Sequence, residues 1–321
     1  MSHQVETMFY VGAEPWHGLG KKLDTPPTSA EAIVAAGLDW DVAAEPVYMR
    51  STAPGMDGFV DIPEAQVIRR HTDGSVLGVV GPQWTPVQNR DAFGFFDPLV
   101  QEGLATYHTA GSLRDGRIVW ILAQIGETKT IAGDDGVGQF LLLSMGHGGG
   151  RAVQVAPTPI RVVCANTLSM ADSGAVGMIR IPHRTNVVRR LDELRDFIRP
   201  YLTSFDTTME SFQLLASACL TPGKVEAYLD DLFPIPDEGP GTRTRNLRDA
   251  IIAKFEGGLL GYDALPPGLR QSYWTLYNSV TEYVDHERGR NGARMESAWF
   301  GTGAAFKRKA LELALDGVKG R

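Results

Sequence analysis

The change in hydrophobic periodicity near residue 185 constrains the fold of this chain more than any other feature. Before it, short apolar segments are separated by glycine-rich turns, which is typical of antiparallel strands. After it, apolar residues recur at helical spacing, as at Val188, Leu191 and Leu194. A series of strands followed by a series of helices predicts an α+β fold and argues against a doubly wound α/β sheet.

The same change divides the chain into two expected domains. Its 321 residues are enough for two domains of ordinary size. We expect a domain at residues 1–184 that is α+β and rich in antiparallel sheet, followed by a helical domain at 185–321. Residues 233–241 contain three prolines and two glycines, and they are expected to form a mobile linker within the helical half.

Two local patterns in the first half are specific. Thr28 and Glu31 have the spacing of a capping box and precede an apolar segment, which predicts a short helix ending near Gly37. Asp73-Gly74 lies between the alternating segments 66–71 and 76–80, which predicts a β-hairpin.

The remaining elements follow from periodicity and turn residues. Asn89 is expected to cap a helix at 90–101 that Pro98 interrupts, and a short helix is expected at 166–171. Further strands are expected at 40–48, 104–110, 117–125, 138–145, 152–156, 160–163 and 176–182. In the second half, helices are expected from 185 onward with a kink at Pro200, and then at 243–255, 269–287 and 304–315.

Composition excludes several classes of protein. The formal net charge is -7, so a uniformly basic nucleic-acid binder is excluded and any such contact must use a local patch. Residues 185–321 carry 18 basic and 19 acidic side chains, so nearly all of the net negative charge lies in residues 1–184. Two cysteines cannot form a disulfide framework, and no segment has the length of a membrane span. With no leader pattern at its start, the chain is expected in the cytoplasm, away from membranes.

Motifs for metal, cofactor or catalytic chemistry are weak. The seven histidines show no i, i+4 pair of the kind that binds zinc, so we expect no metal, cofactor or catalytic residue. The turn Gly148-Gly149-Gly150-Arg151 could bind an anion through backbone amides, but it lacks the sequence of a P-loop and also suits a plain hairpin turn. Cys164 could serve as a nucleophile, although its apolar context is that of a buried structural cysteine.

Basic residues are grouped in the second half and at its entrance. Arginine predominates among them, and its planar guanidinium suits phosphate. Aromatic residues such as Trp274, Tyr283 and Phe306 lie nearby in sequence, and a basic groove with stacking rings binds single strands. These rings equally suit a helical core. The candidate nucleic-acid-binding residues are Arg184, Arg189, Arg190, Arg243, Arg245, Arg248, Lys307 and Arg308.

Several longer motifs carry a family resemblance. They are Pro15-Trp-His-Gly-Leu-Gly20, Arg161-Val-Val-Cys-Ala-Asn-Thr-Leu168, Tyr277-Asn-Ser-Val-Thr-Glu-Tyr-Val-Asp-His286 and Ser297-Ala-Trp-Phe-Gly-Thr-Gly-Ala-Ala-Phe-Lys307. Together they resemble the phage/plasmid-like family known as domain of unknown function 932. The resemblance implies an origin in bacterial phages or plasmids, where proteins of this size often serve replication or recombination. The general plan is also similar to that of the Red-beta and RecT annealing proteins, without a shared residue motif.

These observations lead to one hypothesis and its alternatives. We expect a non-enzymatic, homo-oligomeric protein that binds and anneals single-stranded DNA in recombination or replication. The acidic first half leaves open a protein–protein module, either self-assembling or engaging a host or phage protein. An enzyme using Cys164 or the glycine turn is a third interpretation.

Overall fold

The computed structural model describes residues 4–12, 14–15, 18–52, 58–161, 166–167, 178–194, 198–234, 239, 241–289 and 294–320. The strands are β1 (Val5–Val11), β2 (Lys21–Leu23), β3 (Val42–Ser51), β4 (Gly58–Arg70), β5 (Val76–Val80), β6 (Ala105–Leu113), β7 (Ile118–Ile125), β8 (Lys129–Ala132), β9 (Asp135–Gly146), β10 (Val153–Arg161), β11 (Asn166–Thr167) and β12 (Ile179–Ile181). The α-helices are α1 (Ser29–Ala35), α2 (Asn89–Gly94), α3 (Asp97–Gln101), α4 (Val187–Leu194), α5 (Ile198–Ser217), α6 (Pro222–Leu232), α7 (Thr242–Ala253), α8 (Tyr273–Glu282), α9 (Arg294–Phe300) and α10 (Thr302–Lys319). This order confirms the predicted α+β class, with sheet in the first half and helices in the second.

Within the described residues, nine strands form the larger sheet. Seven of them lie in the order β11-β10-β9-β7-β6-β1-β2, while β12 pairs with β10 and β8 pairs with β9. The pairs are antiparallel except for β1 and β2, which run parallel, so the sheet is mixed. The connection between these two strands contains Gly12, Gly18 and Gly20, all with positive φ. Glycine tolerates that conformation, which helps a short connection join two neighbouring strands that run in the same direction.

The smaller sheet has the order β3-β4-β5 and contains the predicted hairpin. β4 and β5 pair antiparallel, and the N–H of Ser75 donates to Asp73 Oδ1 at 2.9 Å inside the turn. Gly74 takes the left-handed φ of +71° that the turn needs. The first residues of β4, from Gly58 to Ile62, pair only with β3 among the described strands. They form a two-stranded arm with the end of β3.

The two faces of the larger sheet are covered by different elements. Alternate residues of β7 and β9, such as Val119 and Leu143, pack in one core with α1 to α3 and the smaller sheet. The other alternation, including Trp120, packs against α9 through Trp299, with ring centroids 5.0 Å apart. A third core joins α5 to α10 and includes Val137 of β9. From α5 onward, the helical half is therefore built onto the second face and one end of the sheet, whereas Val187 and Leu191 of α4 pack in the first core.

A buried ion pair fixes α8 to the sheet. The Nε of Arg161 donates to Asp135 Oδ1 at 2.8 Å, and the Nε1 of Trp274 donates to Asp135 Oδ2 at 2.7 Å. The Nη1 of Arg161 also donates to the carbonyl of Leu260 at 3.1 Å. Arg161 and Asp135 are buried, so the charges depend on each other and on these hydrogen bonds.

All residues of α8 are buried, including its carboxylate. Glu282 accepts from Lys254 Nζ at 2.8 Å and from the N–H of Leu260 at 2.9 Å. One turn later, Asp285 accepts from Lys307 Nζ at 2.6 Å. Glu282 and Asp285 are thus each bonded to a lysine, Glu282 to one from an element before α8 and Asp285 to one from an element after it.

Most predicted elements agree with the structure, and three differ. Asn89 does not cap α2, because its side chain is buried and donates to the carbonyls of Leu38 and Trp40. The separate strand expected at 160–163 is the end of β10, which continues through Pro157 and Pro159. Both prolines are in register with β9, and they lie between the stretches of β10 that pair with β12 and β11, so in the described residues they have a neighbouring strand on one side only.

The third difference concerns the short helix expected at 166–171. Residues 166–167 form β11 against β10, and residues 168–171 lie outside the described part of the chain.

In the expected linker, Phe233 packs on Phe306 with ring centroids 5.3 Å apart, whereas residues 235–238 and 240 also lie outside the described part. The two-domain boundary near residue 184 stays a prediction.

Candidate nucleic-acid interface

The first predicted arginine group lies where β12 leads into α4. Arg184, Arg189 and Arg190 are all exposed. Arg189 forms an i, i+4 ion pair with Glu193 at 3.3 Å, whereas Arg184 donates to the side chain of Gln83, a neutral partner. Within 4 Å of the Arg184 guanidinium, the described residues place no carboxylate, so its charge remains available to an anion.

The predicted anion-binding turn, which joins β9 to β10, is held against the smaller sheet. A Cβ on Gly148 would come 2.5 Å from the carbonyl oxygen of Leu77, and one on Gly78 would come 2.4 Å from the Cα of Gly148. Two backbones therefore touch at a spacing that only glycine permits. This contact fixes the turn on the smaller sheet at Gly148, while Gly150 is exposed and Arg151 is partly buried.

A cleft of about 630 Å³ opens beside this turn. Three chain segments line it, from Gly81 to Trp84, from Gly150 to Ala152 and from Pro182 to Arg184. Arg151 and Arg184, which belong to two different predicted groups, thus lie at the same opening. Trp84 contributes an aromatic ring to the same lining, and its indole is stacked on His183 with centroids 4.4 Å apart and an interplanar angle of 15°.

Positive charge exceeds negative charge around the cleft. Arg151 donates to Glu296 at 2.9 Å and lies over the ring of Phe300 at 4.5 Å, and Arg114 forms a second ion pair with Glu296 at 2.7 Å. Burial lowers the pKa of Arg151, and the nearby charges of Arg114 and Arg180 lower it further against the opposing effect of Glu296. One carboxylate is therefore shared by a cluster of arginines, and Arg184 adds to the excess.

His147 and His183 are buried histidines at the cleft, His183 in its lining and His147 in the turn that leads to Gly150. Asn89 Nδ2 donates to two carbonyls, so its Oδ1 is the atom that accepts from His147 Nε2 at 2.9 Å. His183 Nδ1 is 3.0 Å from the carbonyl of Thr85 and is therefore the donor there. Desolvation lowers the pKa of His147 to about 3 and lowers that of His183, so both rings are neutral at pH 7.

The second predicted arginine group lies on α7, on a different part of the helical half. Arg243 and Arg245 are exposed, whereas Arg248 is half-buried and bonded to Asp230 of α6. The neighbouring Arg288 lies over the ring of Phe306 at 4.4 Å, which uses its charge in packing. No contact within the described residues brings this group to the cleft.

Lys307 and Arg308 differ from each other although they are adjacent. Arg308 is exposed on α10. Lys307 is buried, bonded to Asp285, and burial is the main cause that lowers its pKa. The predicted role of Lys307 in binding phosphate does not fit this position, because its ammonium lies inside the protein. The apolar residues Ala310, Leu311 and Ala314 follow it at i+3, i+4 and i+7, and that spacing could have placed Lys307 on the buried face.

Trp84 and Gln83 are cleft residues that sequence analysis missed. They lie in Gly-Pro-Gln-Trp-Thr-Pro, a segment without helical or strand periodicity. A tryptophan between two prolines in an irregular segment was the available signal, since loops carry a large share of binding residues. Cys164 lies outside the described residues, and no group of three or more His, Cys, Asp or Glu side chains comes together in the described part of the chain.

Comparison with known proteins identifies a family but no activity. The family described as domain of unknown function (DUF932) matches residues 76–302, so this chain belongs to it. The matched region begins at β5 and ends after α9, and it includes every segment of the cleft. No curated protein matches the chain, and no solved structure matches it. Among the described helices, none combines the length and apolar character needed to cross a bilayer.

Proposed function

We propose that this protein binds single-stranded DNA and promotes strand annealing, as a non-enzymatic homo-oligomer in the cytoplasm of a bacterial host that carries the phage or plasmid encoding it. The observation that carries this proposal is the meeting of Arg151 and Arg184 at a cleft that also contains Trp84. The guanidinium of Arg184, whose described side-chain partner is the neutral Gln83, is suited to phosphate, and an aromatic wall suits bases. On α4, the exposed Arg190 adds positive charge, whereas the charge of Arg189 is shared with Glu193.

Salt dependence of oligonucleotide binding tests this function. Each phosphate contact to a single strand contributes about -0.7 to the slope of log K against log salt concentration. We expect the Arg184→Ala/Arg190→Ala double variant to bind a labelled oligonucleotide more weakly, with a slope shallower by about 1.4. Filter binding between 50 and 200 mM salt measures both quantities.

A matched control separates specific contacts from total charge. Arg50→Ala/Arg90→Ala removes the same number of exposed positive charges, and these residues lie in β3 and α2. This control should keep the wild-type slope. Absence of binding at low salt, binding without salt dependence, or an equal loss in both double variants would contradict the proposal.

The alternative is a protein-binding module, and the arm at the end of β3 and β4 favours it. Tyr48, Met49 and Phe59 are 56%, 51% and 79% exposed there, although they are large apolar side chains. Exposed apolar clusters commonly mark contacts between proteins. We expect Phe59→Ser to reduce the molar mass of an assembly measured by light scattering. Val34→Ser, which changes an apolar residue that is 62% exposed on α1, should leave the mass unchanged.

A further inference from the structure

We propose that the cleft holds one nucleotide unit, with the phosphate at Arg184 and the glycine turn and the base against Trp84. This inference rests on the proposed function and specifies the ligand at that site. It distinguishes a built nucleotide site from a positive surface that attracts any polyanion.

The phosphate end has both charge and backbone donors. Gly149 and Gly150 have φ angles of +80° and +72°, and Gly150 lies in the cleft wall with Arg151. The amides of these three residues donate to no group in the described part of the chain. Successive backbone N–H groups in a turn form an anion-binding concavity. Arg184 lines the same cleft, and its only described side-chain partner is neutral.

The base end has a rigid apolar wall. Trp84 is held by the stacked ring of His183, and the carbonyl of Trp84 accepts from Gln66 Nε2 at 2.7 Å. Pro82 and Pro182 complete the apolar lining. Because His183 is itself bonded to the Thr85 carbonyl, the indole is fixed before any ligand arrives. A preorganised wall lowers the entropic cost of binding.

The size and charge of the cleft select the ligand class. A volume of about 630 Å³ suits one drug-sized molecule, and a nucleotide is of that size. No Asp or Glu is among the described residues that line the cleft, so this lining presents no carboxylate set for the magnesium ion of a hydrolase. The lining therefore fits binding of a nucleotide without a metal, as a unit of a strand.

Isothermal titration of the full chain with three small probes tests the inference. The probes are a deoxynucleoside 5′-monophosphate, the matching deoxynucleoside and deoxyribose 5-phosphate. The intact nucleotide should bind at least about tenfold more tightly than either fragment, because only it uses both ends of the cleft. Arg184→Ala should weaken nucleotide binding about tenfold or more, the scale of one lost charged hydrogen bond.

Arg50→Ala is the matched control, because Arg50 is exposed on β3 and is not a lining residue. It should leave the affinity for the nucleotide and for the oligonucleotide unchanged. Equal affinity for nucleotide and deoxyribose 5-phosphate, or unchanged nucleotide affinity in Arg184→Ala, overturns the inference. If a salt-dependent oligonucleotide complex forms while the nucleotide does not bind, the nucleotide cleft is wrong and the proposed function stands. If the nucleotide binds and this binding depends on Arg184, while the oligonucleotide does not bind, the nucleotide cleft stands and the proposed function is wrong.

Discussion

Mild acid should destabilise this protein through His147. The ring is completely buried, and its pKa falls from 6.5 in the unfolded chain to about 3 in the folded state. Because the pKa of the ring is lower in the folded state, the unfolded state binds a proton at a higher pH than the folded state does. The stability supplied by the neutral ring is therefore fully present above pH 6.5 and is lost progressively as the pH falls from 6.5 towards 3.

The size of this effect follows from the two pKa values. Between pH 7.5 and pH 5, the unfolded ring gains nearly a full proton while the folded ring stays neutral, which costs about 2 kcal/mol. The result at pH 5 depends mainly on the unfolded pKa, because the folded pKa lies well below 5. Burial also lowers the pKa of His183, so its contribution has the same sign.

Urea unfolding at the two pH values measures the effect. His147→Gln retains an amide that can donate to Asn89 and removes the titrating ring. Between pH 7.5 and pH 5, its free energy of unfolding should therefore fall by about 2 kcal/mol less than that of the wild type. Carboxylates contribute equally to both proteins and cancel in the comparison. His71→Gln, in the exposed hairpin turn, should retain the wild-type difference. Equal pH dependence in the wild type and His147→Gln would refute the reasoning.

Two further predictions concern packing. Asp135→Ala leaves Arg161 buried without its carboxylate, so the free energy of unfolding measured with urea should fall by about 3–5 kcal/mol; a change below 1 kcal/mol would contradict the buried pair. Gly78→Ala places a Cβ 2.4 Å from Gly148 and should cost about 1–3 kcal/mol in thermal unfolding, whereas Gly81→Ala, with no atom within 4 Å, should be close to neutral.

Local chemistry made several elements predictable from sequence. The capping box at α1 exists, with the Thr28 N–H donating to Glu31 Oε2 at 2.9 Å. The β4–β5 turn likewise needs only Asp73, Gly74 and Ser75, which are neighbours in sequence. Such elements depend on contacts within a few residues, so the sequence contains the whole cause.

Features that depend on distant contacts were not predictable in the same way. Asn89 has the side chain of a capping residue, but its partners at Leu38 and Trp40 are about 50 positions away. The cleft joins segments near residues 82, 151 and 183, and no periodicity links them. Arg184 and Arg151 could therefore be selected as candidates by residue type, whereas their proximity required the fold.

The central position of α8 has a consequence for synthesis on the ribosome. Glu282 needs Lys254, which precedes it, whereas Asp285 needs Lys307, which is translated 22 residues later. A nascent chain ending between them would have to pack this helix before the lysine bonded to Asp285 is available, and burying that carboxylate without this lysine is costly. The helical half should therefore complete its packing only after α10 has left the exit tunnel, and a chain truncated before Lys307 should be degraded rather than accumulate with a partial core.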